Sequence, residues 1–169
     1  MQKIRSNSNS KCNYPPKKCC VPRFSPRGEF ATDLPNLKRK AEQSNSFVDW
    51  NFFLWASIFA DELDADLVKQ LAGVIRSARE PQSLCTLACA EAKTGLIDEA
   101  VADLRLLLVL QNEKFERADW LVVGLIAEHC NLPDAAIRAY GKVEKERRHS
   151  TTSSPNTLAQ RRIHAIQAK

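Results

Sequence analysis

The sequence predicts an all-α fold built from antiparallel helix hairpins. Apolar residues recur at helical spacing through residues 118–143, with one break at Asn131-Leu132-Pro133. A weaker copy of this pattern lies 36 residues earlier, and a third, strongly apolar stretch begins at Phe47. Helical stretches separated by such short breaks indicate successive pairs of helices packed against each other.

The first 46 residues predict a disordered basic tail. They are rich in Pro, Ser and Asn, carry 10 basic and 3 acidic side chains, and show no sustained period. Their prolines also disfavour the amphipathic helix of an organellar targeting peptide. Because Met1 is the only methionine, it stays open whether this tail is functional or reflects a misassigned start.

Residues 47–79 predict an atypical pair of helices at the start of a domain over 47–169. Apolar side chains surround nearly the whole first helix, which indicates burial on more than one side. The second helix follows a break at residues 61–64 and ends before Pro81. The large apolar side chains of this pair would allow it to cover the open edge of the next hairpin, as the atypical terminal units of repeat proteins do. An amphipathic helix on a membrane surface is the alternative, and the flanking acidic residues disfavour it.

Two further hairpins carry similar residues at matching positions. The later one has Trp120-x2-Val123-Gly124 and then Ala136-x3-Tyr140; the earlier one has Leu84-x2-Leu87-Ala88, Gly95 and then Ala100-x3-Leu104. Together with Ala127, these are the residues that we expect to pack the hairpins. The pattern resembles the signature of the tetratricopeptide repeat (TPR), a helix-turn-helix unit that stacks into α-helical solenoids. The family usually has Tyr at the position of Ala127 and Pro at that of Arg148.

The resemblance covers about residues 84–147 and implies a short TPR-like solenoid. Repeat 1 would occupy 82–114 and repeat 2 would occupy 116–148. Residues 155–168 predict a closing helix, with Ser154 as its N-cap, Pro155 in its first turn and a sparse apolar face. Such a helix would cover the exposed side of the last repeat, as capping units do in repeat proteins.

The resemblance also implies that the first helix of each hairpin lines a concave groove. We expect nine residues there: Cys85, Thr86, Cys89, Lys93, Leu121, Val122, Leu125, Glu128 and His129. The apolar strip of Leu121, Val122 and Leu125 would suit a partner's hydrophobic segment, or the chain's own tail or closing helix would fill it. If the strip is open, Leu125→Glu should abolish partner binding and leave the melting behaviour unchanged.

These observations predict a non-enzymatic protein–protein interaction module or scaffold, with an unknown protein partner and possible self-association. The chain contains no G-x-S-x-G elbow, no glycine-rich phosphate loop and no H-E-x-x-H motif, so we expect no catalytic residues and no cofactor. Cys130 lies about 100° around its helix from His129, and the tail spacing C-x6-C-C fits no familiar zinc site. We therefore expect no metal.

The alternative function is a nucleic-acid or ribosome-associated protein that binds through its basic ends. Two runs of basic residues favour this alternative, Lys38-Arg39-Lys40 and Arg147-Arg148, because lysine and arginine bind the phosphates of nucleic acids. Residues 47–140, however, carry 8 basic and 15 acidic side chains, and this acidic body would repel phosphate. The two interpretations differ in which part of the chain does the binding.

The sequence shows neither a secretory signal nor an apolar run near the roughly 20 residues needed to cross a bilayer. Three of the six cysteines lie in the tail and three in predicted helices, a layout that favours reduced thiols. We therefore expect a cytoplasmic protein with no membrane partner.

Overall fold

The computed structural model describes residues 33–143 and 154–168, and these residues form an all-α fold. Eight helices follow one another: α1 (Leu34–Ser44), α2 (Phe47–Ala60), α3 (Ala65–Ala78), α4 (Pro81–Thr94), α5 (Ile97–Leu110), α6 (Asp119–His129), α7 (Pro133–Tyr140) and α8 (Pro155–Gln167). The two described segments contain no strand. The predicted all-α class is therefore confirmed.

Helix α1 corrects the prediction that residues 1–46 lack regular structure. A proline in the first turn favours the start of this helix, and Asn45 in a left-handed conformation ends it. Leu34 and Ala41, two turns apart, are buried and α1 packs against α2. Helix α1 has only a few apolar residues at helical spacing, and they lie among charged residues, so the sequence alone did not indicate a helix. The rest of the predicted tail, residues 1–32, lies outside the described residues.

Helices α2 and α3 occupy the range of the predicted atypical pair. The Ser46 Oγ atom caps α2 by accepting a hydrogen bond from the Val48 amide at 3.3 Å. Nine residues of α2 are buried, as the apolar side chains all round it led us to expect. The chain turns at Asp61, and the Asp64 side chain then caps α3 by accepting from the Asp66 amide at 3.0 Å.

Helices α4 and α5 cover the range assigned to repeat 1, with α4 starting one residue earlier at Pro81, and Gly95 joins them. Gly95 has a φ of 84°, which a residue with a side chain rarely adopts. The amides of Gly95 and Leu96 donate to carbonyls in the last turn of α4, which satisfies this helix end. The His129 ring from the next hairpin lies against the place where a Gly95 side chain would project. Gly95 is therefore needed both for the turn and for this contact.

Helices α6 and α7 lie within the range assigned to repeat 2, whose residues 144–148 are outside the described residues. Proline starts α7, and the Leu132 amide donates to the Ala127 carbonyl at 2.9 Å across the turn. Helix α8 starts where the sequence predicted a closing helix, with Ser154 Oγ accepting from the Thr157 amide at 3.2 Å.

The helices pack in a regular order. The first helices of successive pairs contact one another, α2 with α4 and α4 with α6. The second helix of each earlier pair also contacts the first helix of the next, α3 with α4 and α5 with α6. Helix α8 packs mainly on α7 and also on α6. None of the described helices is long and apolar enough to cross a membrane.

Candidate protein-binding face

The nine predicted groove residues lie on α4 and α6, and we call the surface that carries them the first-helix face. Six of them are buried: Cys85, Thr86, Cys89, Leu121, Val122 and Leu125. The apolar strip of α6 is closed most completely, since Leu121 and Val122 are 0% exposed and Leu125 is 5% exposed. Of the two alternatives left open by the sequence, an open groove and a groove filled by the chain itself, the open groove is wrong for these six residues, because they are buried within the chain.

The other three predicted groove residues lie at the carboxyl ends of α4 and α6. The Lys93 ammonium donates to the Ile58 carbonyl and forms an ion pair of 2.5 Å with Asp61 Oδ1. Glu128 is half-buried and His129 is exposed. The edge of the first-helix face is thus polar, and its lysine is held by the end of α2.

Helix α8 is attached to this edge by two arginines. The guanidinium of Arg162 forks onto the Glu128 carboxylate, with Nε 2.9 Å from Oε2 and a second bond from Nη2 to Oε1. Arg161 donates to the Phe59 carbonyl and to Asp61 Oδ2, both at 3.3 Å. Consecutive arginines on α8 therefore join it to the carboxyl ends of two first helices, α6 and α2.

Apolar contacts complete the attachment of α8. Leu158 is 2% and Ala159 is 0% exposed, whereas Ile163 and Ile166 are partly buried against the core. Near the start of the helix, the Asn156 amide group donates to the Val143 carbonyl at 2.8 Å. The helix thus runs from the end of α7 to the ends of α6 and α2.

The electrostatics of this edge favour charged side chains. Burial raises the pKa of Asp61, but the hydrogen bond and charge of Lys93 and the charges of the two arginines outweigh it, so the pKa is lowered. The Glu128 carboxylate raises the pKa of Arg162. Tyr140 donates to Glu128 Oε2 at 3.0 Å, and burial together with this carboxylate raises the pKa of its phenol. Glu128 therefore connects α6, α7 and α8.

Most of the residues predicted to pack the hairpins are buried: Leu84, Leu87, Ala88, Ala100, Gly124, Ala127, Ala136 and Tyr140. Gly95, Leu104, Trp120 and Val123 are only partly buried. The Trp120 ring stacks on Phe115 with centroids 4.8 Å apart, and the Lys142 ammonium lies 3.6 Å from the Trp120 centroid. Trp120 is therefore a boundary residue between core and solvent.

A buried charged cluster that the sequence analysis missed lies between α3, α4 and α5. The Arg76 Nε atom donates to Asp103 Oδ1 at 2.8 Å and to Oδ2 at 3.0 Å, and its Nη2 atom donates to Glu91 Oε1 at 2.7 Å. Glu91 is 1% and Asp103 is 3% exposed. Burial and the negative charge of Asp103 raise the pKa of Glu91 to about 8. One cation thus faces two buried carboxyl groups, an arrangement that favours the protonated form of Glu91.

A second buried carboxyl group, Asp119, sits at the start of α6. Its Oδ2 atom accepts from the Glu116 amide at 2.7 Å, and the thiol of Cys85 is also hydrogen-bonded to it. Burial nevertheless raises the pKa of Asp119 to about 6. Cys85, which was expected to face a partner, thus contacts a neighbouring helix instead.

The two remaining cysteines of the described segments lie on α4 and at the end of α6. Cys89 is buried and Cys130 is exposed, and neither forms a disulfide. In the two described segments, no group of three or more His, Cys, Asp or Glu side chains is placed to hold a metal ion.

The basic residues of the alternative function occupy different environments. Lys38 and Arg39 are exposed on α1, whereas Lys40 pairs with Asp49 at 2.8 Å. The arginines of α8 are engaged by Asp61 and Glu128. The run Arg147-Arg148 lies outside the described residues.

Comparison of this chain with protein-family models, with curated proteins and with solved structures found no match.

Proposed function

We propose that this protein is a non-enzymatic, TPR-like interaction module that binds a helix of a partner protein at the polar edge of its first-helix face. The observation that carries the proposal is α8, which bridges the ends of α6 and α2 through Arg162 and Arg161. An amphipathic helix is thus already seated at this face, although it belongs to the same chain. The stepwise packing of α2, α4 and α6 supports the further proposal of a short solenoid.

The attachment of α8 is of a kind that a competing helix could replace. Only Leu158 and Ala159 are buried among the residues of α8. The ion pair between Arg161 and Asp61 is about half exposed on both sides, and exposed pairs contribute little, roughly 0–1 kcal/mol. Tethering to α7 through residues 144–153 raises the effective concentration of α8 at its site. A partner helix with stronger contacts would therefore exchange with it.

An exchange experiment tests this proposal. A recognition sequence for a specific protease is inserted within residues 144–153, and the protein is cut only after it has folded with α8 in place. A fluorescent peptide of residues 154–168 is then added, and its anisotropy is followed. We expect the labelled peptide to replace the cut helix and to be competed off by unlabelled peptide.

Two variant peptides make the test specific. Arg162→Glu places a carboxylate against Glu128, so it should weaken binding at least about tenfold, since it replaces a charge-assisted pair by repulsion. Gln160→Ala is the matched control, because Gln160 is exposed, and it should bind like the native peptide. Absence of exchange, or equal binding of the two variants, would count against the first-helix face as a helix-binding surface.

The alternative of a nucleic-acid or ribosome-associated protein rests on Lys38 and Arg39, which stay exposed on α1. Such binding would weaken steeply as salt rises, because it depends on counterion release. Replacing both residues by Gln and measuring RNA binding at several salt concentrations tests it. A cytoplasmic location is part of the main proposal, and Cys85, Cys89 and Cys130, which form no disulfide in the described segments, are consistent with a reducing compartment.

A further inference from the structure

The seat of α8 is formed by the carboxyl ends of α2 and α6. Asp61 directly follows the last residue of α2, and Glu128 is the second-last residue of α6. The final carbonyl groups of a helix lack partners within the helix and carry a partial negative charge. Each of these two helix ends therefore combines a carboxylate with the negative end of a helix dipole. Together they offer two places for positively charged side chains.

The place at the end of α2 holds two cations. Arg161 donates from Nη1 to the Phe59 carbonyl and from Nη2 to Asp61 Oδ2, both at 3.3 Å. Lys93 of α4 donates to the Ile58 carbonyl and pairs with Asp61 Oδ1. An ammonium and a guanidinium thus make the same kind of contact here, with one carbonyl and one carboxylate oxygen each. This place requires a positive charge but does not distinguish lysine from arginine.

The place at the end of α6 is shaped for a guanidinium. Arg162 donates from Nε to Glu128 Oε2 at 2.9 Å and from Nη2 to Oε1, so both carboxylate oxygens are engaged. The Glu128 side chain is 17% exposed, and the Tyr140 hydroxyl donates to its Oε2 atom at 3.0 Å, which fixes the carboxylate. Lysine has a single ammonium on a flexible stem and cannot make the paired contact. This place therefore selects arginine.

Consecutive residues of α8 reach the two places because side chains on a helix diverge by about 100° per residue. Arg161 contacts the end of α2 and Arg162 contacts the end of α6. Leu158 and Ala159, the buried residues of α8, lie three or four positions earlier and so share the seated side. Gln160, between the two pairs, is exposed. The contacts of α8 thus follow one short pattern: a leucine, a small residue, a free position, a basic residue and an arginine.

We infer that the partner helix of the polar edge carries this pattern, so that the ligand is an amphipathic helix with two consecutive basic residues, of which the second is arginine. The inference rests on the proposed function and names the chemistry of the partner. The small residue is required because Ala159 is 0% exposed, which leaves no space for a larger side chain. A helix with acidic residues in place of the basic pair is repelled by Asp61 and Glu128.

The exchange assay with the cut protein measures this preference when unlabelled variants of the 154–168 peptide compete with the labelled native peptide. A peptide with Gln160→Arg and Arg162→Gln has the native composition and charge, but its arginine pair is shifted by one position. It should compete at least about tenfold less well, because the contact with Glu128 is lost. Arg162→Lys keeps the charge in place and should also lose about tenfold. Arg161→Lys should stay within about threefold of the native peptide.

A change in the protein tests whether Glu128 is the selecting group. Glu128→Gln keeps an oxygen that accepts from Tyr140 but removes the charge, so the native and Arg162→Lys peptides should then compete within about threefold of each other. If the labelled native peptide does not exchange at all, the proposed function fails together with the inference. If it exchanges but the shifted or the Arg162→Lys peptide competes equally well, the inference alone is overturned and the edge binds helices without this preference. A preference for arginine that persists in Glu128→Gln overturns the inference as well.

Discussion

The ring of Tyr140 occupies the space that a side chain on Gly124 would need. A Cβ atom built on Gly124 would lie within 2.9 Å of three carbons of this ring, closer than real Cβ contacts allow. Tyr140 is 0% exposed, so its ring has no free space into which to move. The absence of a side chain at Gly124 thus sets how closely α6 and α7 approach, and the Tyr140 hydroxyl then reaches Glu128 at 3.0 Å.

Gly124→Ala should destabilise the protein despite the better helix propensity of Ala. The propensity gain is about 1 kcal/mol, whereas forcing a methyl group into a packed core costs about 1–3 kcal/mol or more. We expect a net loss of roughly 1–2 kcal/mol in the free energy of unfolding, measured by urea denaturation. Tyr140→Leu removes the ring, so Gly124→Ala in that background should be neutral or stabilising. If Gly124→Ala lowers the free energy of unfolding equally in both backgrounds, the contact between Gly124 and the Tyr140 ring is not the cause of the loss.

Leu125→Glu should now unfold the domain rather than only remove a binding site. Leu125 is 5% exposed, and a carboxylate placed there would have no partner among the apolar residues of α6. We expect the free energy of unfolding to fall by roughly 3 kcal/mol or more. Leu132→Glu makes the same change at a side chain that is 54% exposed and should alter stability by less than about 0.5 kcal/mol. Equal melting of the two variants would indicate that the strip is open after all.

Arg76→Met should be among the most damaging changes in the first half of the chain. It keeps the aliphatic stem but leaves Glu91 and Asp103 buried without their cation. Breaking a buried ion pair costs about 3–5 kcal/mol, and because the Arg76 side chain is 37% exposed, we expect a loss near the lower value. Arg76→Lys keeps the charge without the fork and should lose less. Thermal unfolding followed by circular dichroism measures both losses. If Arg76→Met unfolds at the same temperature as the native protein, the cluster does not stabilise the fold.

Local signals in the sequence predicted where most helices begin and end. Gly95 and the Ser154-Pro155 pair mark helix boundaries through backbone geometry and capping, which involve only neighbouring residues. The helices of the 47–79 pair and of the two hairpins were likewise predicted from the helical spacing of their apolar residues and from the short breaks between the apolar runs. Helix α1 was missed because its three apolar residues are embedded among charges, and its stability comes from packing on α2 rather than from its own sequence.

Which helix faces are open could not be predicted in the same way. The register of α6 correctly placed Gly124 and Ala127 in the core, but it left Leu121 and Leu125 on a face expected to be free. Their burial, and the seating of α8 along the edge of that face, depend on contacts between distant parts of the chain, such as Arg161 with Phe59. The Arg76 cluster is equally non-local, because its three residues are far apart in sequence. The spacing of apolar residues shows which face of a helix is apolar. Only the tertiary structure shows which other helix covers each face.

Raising the pH through the neutral range should destabilise the protein through Glu91. Its pKa is raised from 4.5 to about 8 by burial and by Asp103, with Glu99 adding to the effect and Arg76 opposing it. The folded protein therefore keeps a proton that the unfolded chain releases above about pH 4.5, so this contribution to stability is complete below that pH and is lost as the pH rises to about 8. One such proton changes the free energy of unfolding by at most about 1.4 kcal/mol per pH unit. Urea denaturation at several pH values from 6.5 to 8.5 measures the slope, and Glu91→Gln, which resembles the protonated acid, should flatten it and be the more stable protein at pH 8.5. If the free energy of unfolding depends on pH equally in the two proteins, Glu91 does not bind the proton that sets this dependence.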